Sequence, residues 1–329
     1  MATIPLTFAT TQYEHFSDLA AGRVAVEGVD LTLLEMRTEE VFFRYLTYAE
    51  FDVSEISFAK YASMISQGDT SSIAIPVFPM RCFRHSSIYV RRDGAIKTPG
   101  DLAGKRVGVP EWAETSGIYI RGALQEHYDV DLRAIQWVQA GVNEAGRTEK
   151  VALQLPRGLE IEQQPNDNLS DMLVTGKIDA IMAARAPRCF LKGDGSIVRL
   201  FEDFIDVETR YFRDTGIYPI MHAVVIRSSV LEQHPWVAMN FQKALEDAKQ
   251  RSYVRLTSGG PTPYMDPWAE ERARSLQALL GSDYYPYGVE RNRKTLAAFL
   301  QYAFAQGVCH RLLEVEELFA PQTLRTFRV

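Results

Sequence analysis

The feature that most constrains this chain is a repeated alternation of short β-rich runs with amphipathic helical stretches, broken by two crossings. Residues 4–9, 28–34 and 51–56 read as strands. Helical segments follow at 12–21, from Thr38 with Val41, Phe42 and Tyr45 on one face, and at 58–66. Further strands are expected at 72–78 and 87–90. Alternation of this length favours a largely parallel sheet with helices on both faces, since a parallel return needs a covering crossover. The polar run Arg91-Arg-Asp-Gly-Ala-Ile-Lys-Thr-Pro-Gly100 marks a first crossing. A second α/β set follows, with strands at 106–109, 135–138 and 178–183 and helices at 116–127 and 169–175. The polar stretch 141–168 is expected to hold a strand pair, 150–155 with 160–163. Residues 220–226 form a strand that returns to the first sheet.

At 329 residues the chain exceeds one comfortable hydrophobic core. The expected class is therefore α/β with two lobes, residues 1–95 with 216–329 and residues 96–215, and an active site between them. The C-terminal part reads as helical. Val237, Phe241, Leu245 and Ala248 share one face, as do Leu296, Phe299, Leu300 and Ala303.

A net charge of −6 gives no electrostatic footprint for nucleic acid or an anionic membrane. No run approaches the ~20 apolar residues that span a bilayer. The opening residues carry no basic region followed by an apolar core, so a cytoplasmic location is expected. Cys82, Cys189 and Cys309 are far apart and odd in number, which suits free thiols in a reducing compartment.

In open α/β sheets, ligands bind beyond the carboxyl ends of strands, near helix N-termini. That rule selects Thr10-Thr-Gln-Tyr-Glu-His15, then Ser54, Glu55 and Ser57, then Arg81-Cys-Phe-Arg-His85. In the second lobe it selects Trp112-Ala-Glu-Thr-Ser-Gly117 and Arg185, and at the return Tyr218-Pro-Ile-Met-His222. Arg81, Arg84 and His85 place two guanidinium groups and an imidazole within five residues. They would repel one another unless an anion or acids compensate; Arg offers a fork suited to a carboxylate, and a solvent-facing cluster paired with surface acids is the other open reading. His222 interrupts an apolar strand, where a core histidine and a proton-transfer group are both open readings. Tyr284-Tyr-Pro-Tyr-Gly288 with Asn292 either walls a pocket for a planar ring or packs as a loop. No dinucleotide fingerprint, Walker loop, nucleophile elbow or HExxH occurs.

Thr98-Pro-Gly-Asp-Leu-Ala-Gly-Lys-Arg-Val-Gly-Val-Pro110 and Gly176-Lys-Ile-Asp-Ala-Ile-Met-Ala-Ala-Arg185 resemble the second lobe of a type II periplasmic-binding-protein fold. Gly22-Arg-Val-Ala-Val-Glu-Gly-Val-Asp-Leu31, Val77-Phe-Pro-Met-Arg-Cys-Phe-Arg-His-Ser86, Gly216-Ile-Tyr-Pro-Ile-Met-His222 and Tyr287-Gly-Val-Glu-Arg-Asn292 resemble the 4,5-dihydroxyphthalate decarboxylases. These are cytoplasmic relatives of solute-binding proteins. One departure stands out: Tyr13-Glu14-His15 replaces the Tyr-Asp-Arg of other members.

The resemblance implies non-oxidative loss of CO2 from a hydroxylated aromatic dicarboxylate. It implies a small aromatic carboxylate as partner, no organic cofactor, and no metal demanded by ligand spacing, although a divalent ion remains compatible. A homo-oligomer is left open. On this reading Arg81 and Arg84 anchor a carboxylate while Thr115, Ser116, Gly117 and Arg185 close from the other lobe. Tyr218, Tyr287 and Asn292 complete the substrate pocket. His222 and His85 are the proton-transfer candidates, with Glu55 and His15 behind them. The competing class is a receptor with the same arginines but no poised acid. Pyrimidine-precursor synthases of the same superfamily would need a cysteine-rich segment, which is absent.

Overall fold

A computed structural model describes residues 3–258 and 264–324. The chain begins with β1 (Ile4–Thr10), a short helix α1 (Ser17–Ala20), β2 (Val29–Glu35), α2 (Thr38–Tyr48), β3 (Val53–Ser57), α3 (Phe58–Ser66) and β4 (Ser72–Ile75). It continues with β5 (Ile88–Arg91), β6 (Arg106–Val109), α4 (Thr115–His127), β7 (Gln136–Gly141), β8 (Ile161–Asn168), α5 (Leu169–Val174), β9 (Ala180–Met182), α6 (Arg188–Leu191), β10 (Ile197–Arg199) and α7 (Phe204–Thr215). The last part holds β11 (His222–Arg227), α8 (Ser228–Gln233), α9 (Val237–Thr257), α10 (Ala269–Leu280) and α11 (Arg293–Ala305).

Two sheets result, ordered β2-β1-β3-β11-β4 and β10-β5-β9-β6-β7-β8. In the first, β1 pairs parallel with β2 and β3, whereas β11 inserts antiparallel between β3 and β4. In the second, β9, β6, β7 and β8 run parallel, and at one edge β5 runs antiparallel between β9 and β10. β3 is buried along its whole length, as a central strand covered on both faces must be. Helix α3 is nearly all buried, because it lies between the first sheet and the C-terminal helices. Phe299 of α11 touches Phe58 of α3 and Tyr119 of α4, with ring centroids 4.7 and 5.0 Å apart.

Two expectations need correction. The strand at 87–90 does not complete the first sheet: β5 pairs with β9 and β10, so the first crossing is the segment 76–87 and not 91–100. Ile88-Tyr-Val is buried on both faces and suits either sheet, so its partner is set by the chain path rather than by its residues. The strand pair in 141–168 is a single strand, β8. Residues near 154 instead lie against the end of α11, where Gln154 N–H donates to the Gly307 carbonyl at 2.8 Å. The α/β architecture and the return of the chain through β11 are as expected. Among the described residues no helix is long and apolar enough to cross a membrane.

The end of α11 is closed by a Schellman arrangement, with Val308 N–H to the Ala303 carbonyl and Gly307 N–H to the Phe304 carbonyl. Gly307 has φ +73°, and a Cβ there would lie 2.2 Å from the Gln154 carbonyl oxygen. Gly307→Ala therefore combines left-handed strain with a backbone clash. We expect a loss of roughly 2–4 kcal/mol, read as a lowered melting temperature. An unchanged melt would show that the segment near Gln154 yields freely.

Candidate active site

The carboxyl end of β3, the amino end of the antiparallel β11 and the N-terminus of α4 meet at a cleft of about 700 Å3 between the two sheets. On the first-lobe side the chemistry is organised by Glu55, which is fully buried on β3. Its Oε2 accepts from the Thr10 hydroxyl at 2.9 Å and from the Thr11 N–H at 2.8 Å. Its Oε1 accepts from the Tyr13 hydroxyl and from His222 Nδ1, each at 2.6 Å. Four donors fill the acceptor sites of an ionised carboxylate and leave no place for a proton. Burial pushes the Glu55 carboxyl up, but the hydrogen bond and charge of His222, with Tyr13 and Thr11, outweigh it and hold the group below the usual range.

The same network fixes the imidazole. Nδ1 faces the carboxylate and donates to it, which leaves Nε2 as the ring nitrogen without a protein partner among the described residues, and the His222 ring lines the cleft with 12% of its side chain exposed. Phe42 of α2 meets the ring edge-on at 5.0 Å. Local sequence explains the placement. β11 starts at His222, whose register partner is Ser57 at the end of β3, so the histidine emerges where both strands open to the cleft.

The facing wall is charged. Glu111, 1% exposed, is held by Lys60 Nζ from α3 at 3.1 Å and by Arg147 Nε and a terminal nitrogen at 2.8 Å each. Two cations around one buried carboxylate leave that cluster with one positive charge in excess. Arg84 lines it too. Its Nε points at Met221 Sδ, 3.4 Å away, and it has no ion pair among the described residues. Thr115, the first residue of α4, bridges the lobes. Its Oγ1 lies 3.1 Å from Ser57 Oγ and accepts the Ala59 N–H at 3.1 Å. Ser116 donates to Glu114 Oε2 at 2.9 Å.

Of the residues selected from sequence, His222, Arg84, Thr115, Ser116 and Arg185 therefore line the cleft, with Glu55 directly behind His222. Arg185 sits at the exposed mouth in a salt bridge to Glu39 of α2. The others lie elsewhere. Arg81 is buried, donates to the Pro286 and Tyr218 carbonyls at 3.0 and 2.7 Å, and stacks 4.2 Å over the Tyr218 ring. Its fork is spent on bolting the return crossing to the 285–287 loop. Tyr218 thus supports Arg81, while Tyr287 is buried under Lys249 Nζ at 4.4 Å. Asn292 donates to the Pro286 and Gly288 carbonyls, so this aromatic segment packs as a loop and walls no part of the cleft. Gly117 leaves room for Arg121, whose guanidinium nitrogen would lie 2.8 Å from a Cβ there.

His15 stacks behind Tyr13 at 5.3 Å, and burial followed by the nearby Lys249 charge lowers it to about 3. His85 faces a separate apolar cavity of about 20 Å3 with Tyr128, Phe201 and Tyr211. Burial, with His127 adding a little, lowers it to about 4. Neither is placed to exchange a proton with a ligand in the cleft. Sequence reading missed Lys60, Glu111 and Arg147, and reached Tyr13 and Glu114 only as members of the strand-end segments 10–15 and 112–117, with no role assigned. Only Lys60 had a local signal, as a cation within the otherwise apolar Phe58–Ser66 helix. Among the described residues no three His, Cys, Asp or Glu side chains gather as a metal site.

With this geometry in view, the similarity to known proteins is informative. No family model matches the chain. Among solved structures, the periplasmic aliphatic sulphonate binding protein SsuA from Escherichia coli has a TM-score of 0.56 at 10% identity, covering 98% of this chain and 99% of that one. The desulfurization enzyme DSZB has a TM-score of 0.50 at 14% identity, covering 98% and 97%. The fold is thus the two-lobed α/β type II architecture of periplasmic binding proteins, with its cleft between the lobes. At closer range, a 4,5-dihydroxyphthalate decarboxylase from Comamonas testosteroni is 36% identical over the full length of both chains. One from Pseudomonas putida is 38% identical over 62% of this chain and 79% of its own. The chain belongs to the 4,5-dihydroxyphthalate decarboxylase family.

The placement of His85 yields a stability prediction. A histidine lowered by burial is neutral in the folded protein but protonates near 6.5 once unfolded. Its contribution is therefore complete above about pH 6.5 and is lost as pH falls towards about 4. On the order of 3 kcal/mol is at stake. His85→Phe should flatten the fall in melting temperature between pH 6.5 and 4 and leave turnover within a few-fold. A hundredfold loss of turnover would return His85 to the reaction.

Proposed function

We propose that the chain decarboxylates 4,5-dihydroxyphthalate to protocatechuate and CO2 without an organic cofactor. The observation that carries this reading is the Glu55–His222 pair, an imidazole with its free nitrogen turned into a cation-walled cleft. The two relatives named for this activity support the choice of substrate.

An aryl carboxylate does not expel CO2 directly, because the electron pair would be left in an in-plane orbital that the ring cannot stabilise. In 4,5-dihydroxyphthalate each carboxylate is para to a hydroxyl. His222 Nε2 takes the hydroxyl proton, while Glu55 holds the ring in place and stabilises the imidazolium that forms. Electron density then rises at the carbon bearing the para carboxylate. Protonation makes that carbon tetrahedral, and CO2 leaves as aromaticity returns. Arg84, with Lys60 and Arg147, supplies positive charge for the two carboxylates. Thr115 and Arg185, bridging the lobes, shield the cleft from water. Three unpaired cysteines fit a cytoplasmic setting.

Incubation with 4,5-dihydroxyphthalate should release CO2 stoichiometrically with protocatechuate. His222→Ala should lower kcat about 10²–10⁴-fold with an unchanged melt. Binding without CO2 release would make the protein a receptor and end the catalytic reading. In a separate measurement, Arg84→Met should raise KM about tenfold or more, the equivalent of one charge-assisted hydrogen bond. A KM unmoved by this change would remove Arg84 from carboxylate binding.

A further inference from the structure

We infer that Glu114 is the acid that protonates the ring carbon, acting from the second lobe across the cleft from His222. This rests on the decarboxylation proposed above and completes it, since one imidazole cannot hold the phenol proton and deliver another in the same step.

Glu114 is unlike the other carboxyls of the cleft. Glu39 is paired with Arg185, Glu111 with Lys60 and Arg147, and Glu144 lies 3.9 Å from Arg188. Among the described residues Glu114 alone of these has no ion pair. Its Oε2 accepts the Ser116 hydroxyl at 2.9 Å and, more weakly, the Ala184 N–H at 3.4 Å. Its Oε1 has no hydrogen-bond partner among the described residues, which leaves one oxygen free to carry a proton into the cleft. Burial pushes this carboxyl up. The Ser116 hydrogen bond and the charges of Arg147 and Arg84 temper that rise without reversing it. The contrast with Glu55, surrounded by four donors, shifts the two carboxyls in opposite directions, Glu55 down and Glu114 up.

The fold also brings the acid to the base. Glu114 precedes Thr115, whose hydroxyl meets Ser57, and Ser57 is the ladder partner of His222. One hydrogen bond and one strand pairing therefore connect the two ends of the reaction. The charged and titratable groups that share the cleft with Glu114 are Arg147 and Glu144 from the loop after β7, Arg84 from the first crossing, Arg185 after β9, Glu111 on its own segment, and Glu39, Lys60 and His222 from the first lobe, while the buried Arg121 of α4 adds its charge from outside the cleft.

The step balances as follows. The Glu114 O–H bond breaks and a C–H bond forms at the carbon bearing the carboxylate, leaving Glu114 anionic. The bond to the carboxylate carbon then breaks, its electron pair restores the aromatic ring, and CO2 departs. His222 returns its proton to the phenolate oxygen, and Glu114 takes one from water. Net consumption is one proton per CO2, as the overall reaction requires.

The test compares the whole protein with its Glu114→Gln and Glu114→Asp variants, using 4,5-dihydroxyphthalate as substrate. Gln retains the acceptor for Ser116 and Ala184 but has no proton to give. We expect kcat to fall about 10²–10⁴-fold with substrate Kd within threefold, and Glu114→Asp to regain part of the rate. In the unmodified protein kcat should fall as pH rises through the Glu114 titration, and that alkaline limb should be missing from the residual activity of Glu114→Gln. A kcat within threefold of the parent would overturn the assignment. So would a loss of Kd as large as the loss of kcat, or an alkaline limb that persists in the Gln variant. If the parent protein itself releases no CO2, the decarboxylase reading has failed and this inference falls with it, an outcome distinct from an active parent with an indifferent variant.

Discussion

The buried carboxylate of Glu55 is the constraint around which the first lobe is arranged. A charge at a fully buried site is tolerable only when every acceptor position is met, and removing one donor leaves the group costly to keep. Here the donors come from both sides of the central strand. Thr10, Thr11 and Tyr13 arrive from the end of β1, and His222 from the start of β11. β3 has these two strands as its neighbours only because the chain leaves for the second lobe and then returns antiparallel between β3 and β4. The excursion that makes the molecule two-lobed is also what places an imidazole on this carboxylate.

The second lobe is held from two directions. On the cleft side, Lys60 reaches Glu111 and Thr115 ties to Ser57 and Ala59. On the opposite side, α11 grips α4. Arg121, fully buried, stacks 3.7 Å over Trp112 and donates to Gln306 at 2.7 Å, while Gln306 donates to the Ile118 carbonyl at 3.0 Å. Tyr302 adds a hydrogen bond to Glu126 at 2.7 Å. Opening the cleft breaks the ion pair and the Thr115 contacts, yet the α11 face can persist as a pivot. The C-terminal helices thus belong to the mechanics of the cleft as well as to the core.

Much of this was legible in the residues. Periodicity located most strands and helices, and the strand-end rule reached Glu55, Arg84, Thr115 and His222, because these depend on local pattern. What failed was non-local. Arg81, Arg84 and His85 look like one basic cluster, but Arg81 forms a bridge with Ile220 and the chain turns between them. Arg81 consequently points to the 285–287 loop, Arg84 to the cleft and His85 to an aromatic cavity. Glu111, Glu114 and Arg147 lie in connecting segments without periodicity. Nothing in their neighbours along the chain announces that Lys60 and Arg147, both far away in sequence, will meet on Glu111.

The architecture is shared with a sulphonate-binding protein and a desulfurization enzyme, so the fold does not decide between holding an anion and transforming it. The difference must lie in how titratable groups are distributed over the cleft. Cations alone stabilise a bound dicarboxylate and its reacting form about equally, which favours binding without lowering a barrier. A base on one lobe and an acid on the other act differently. On the proposed assignment each is aimed at an atom whose charge changes during the reaction, and the substrate lies between them and keeps the proton from passing directly. Glu55 is saturated with donors and Glu114 is nearly free of them, and this asymmetry pushes the first carboxyl towards the ionised form and the second towards the neutral one. A clamshell so equipped turns closure around an aromatic diacid into proton removal at one end of the ring and proton delivery at the other.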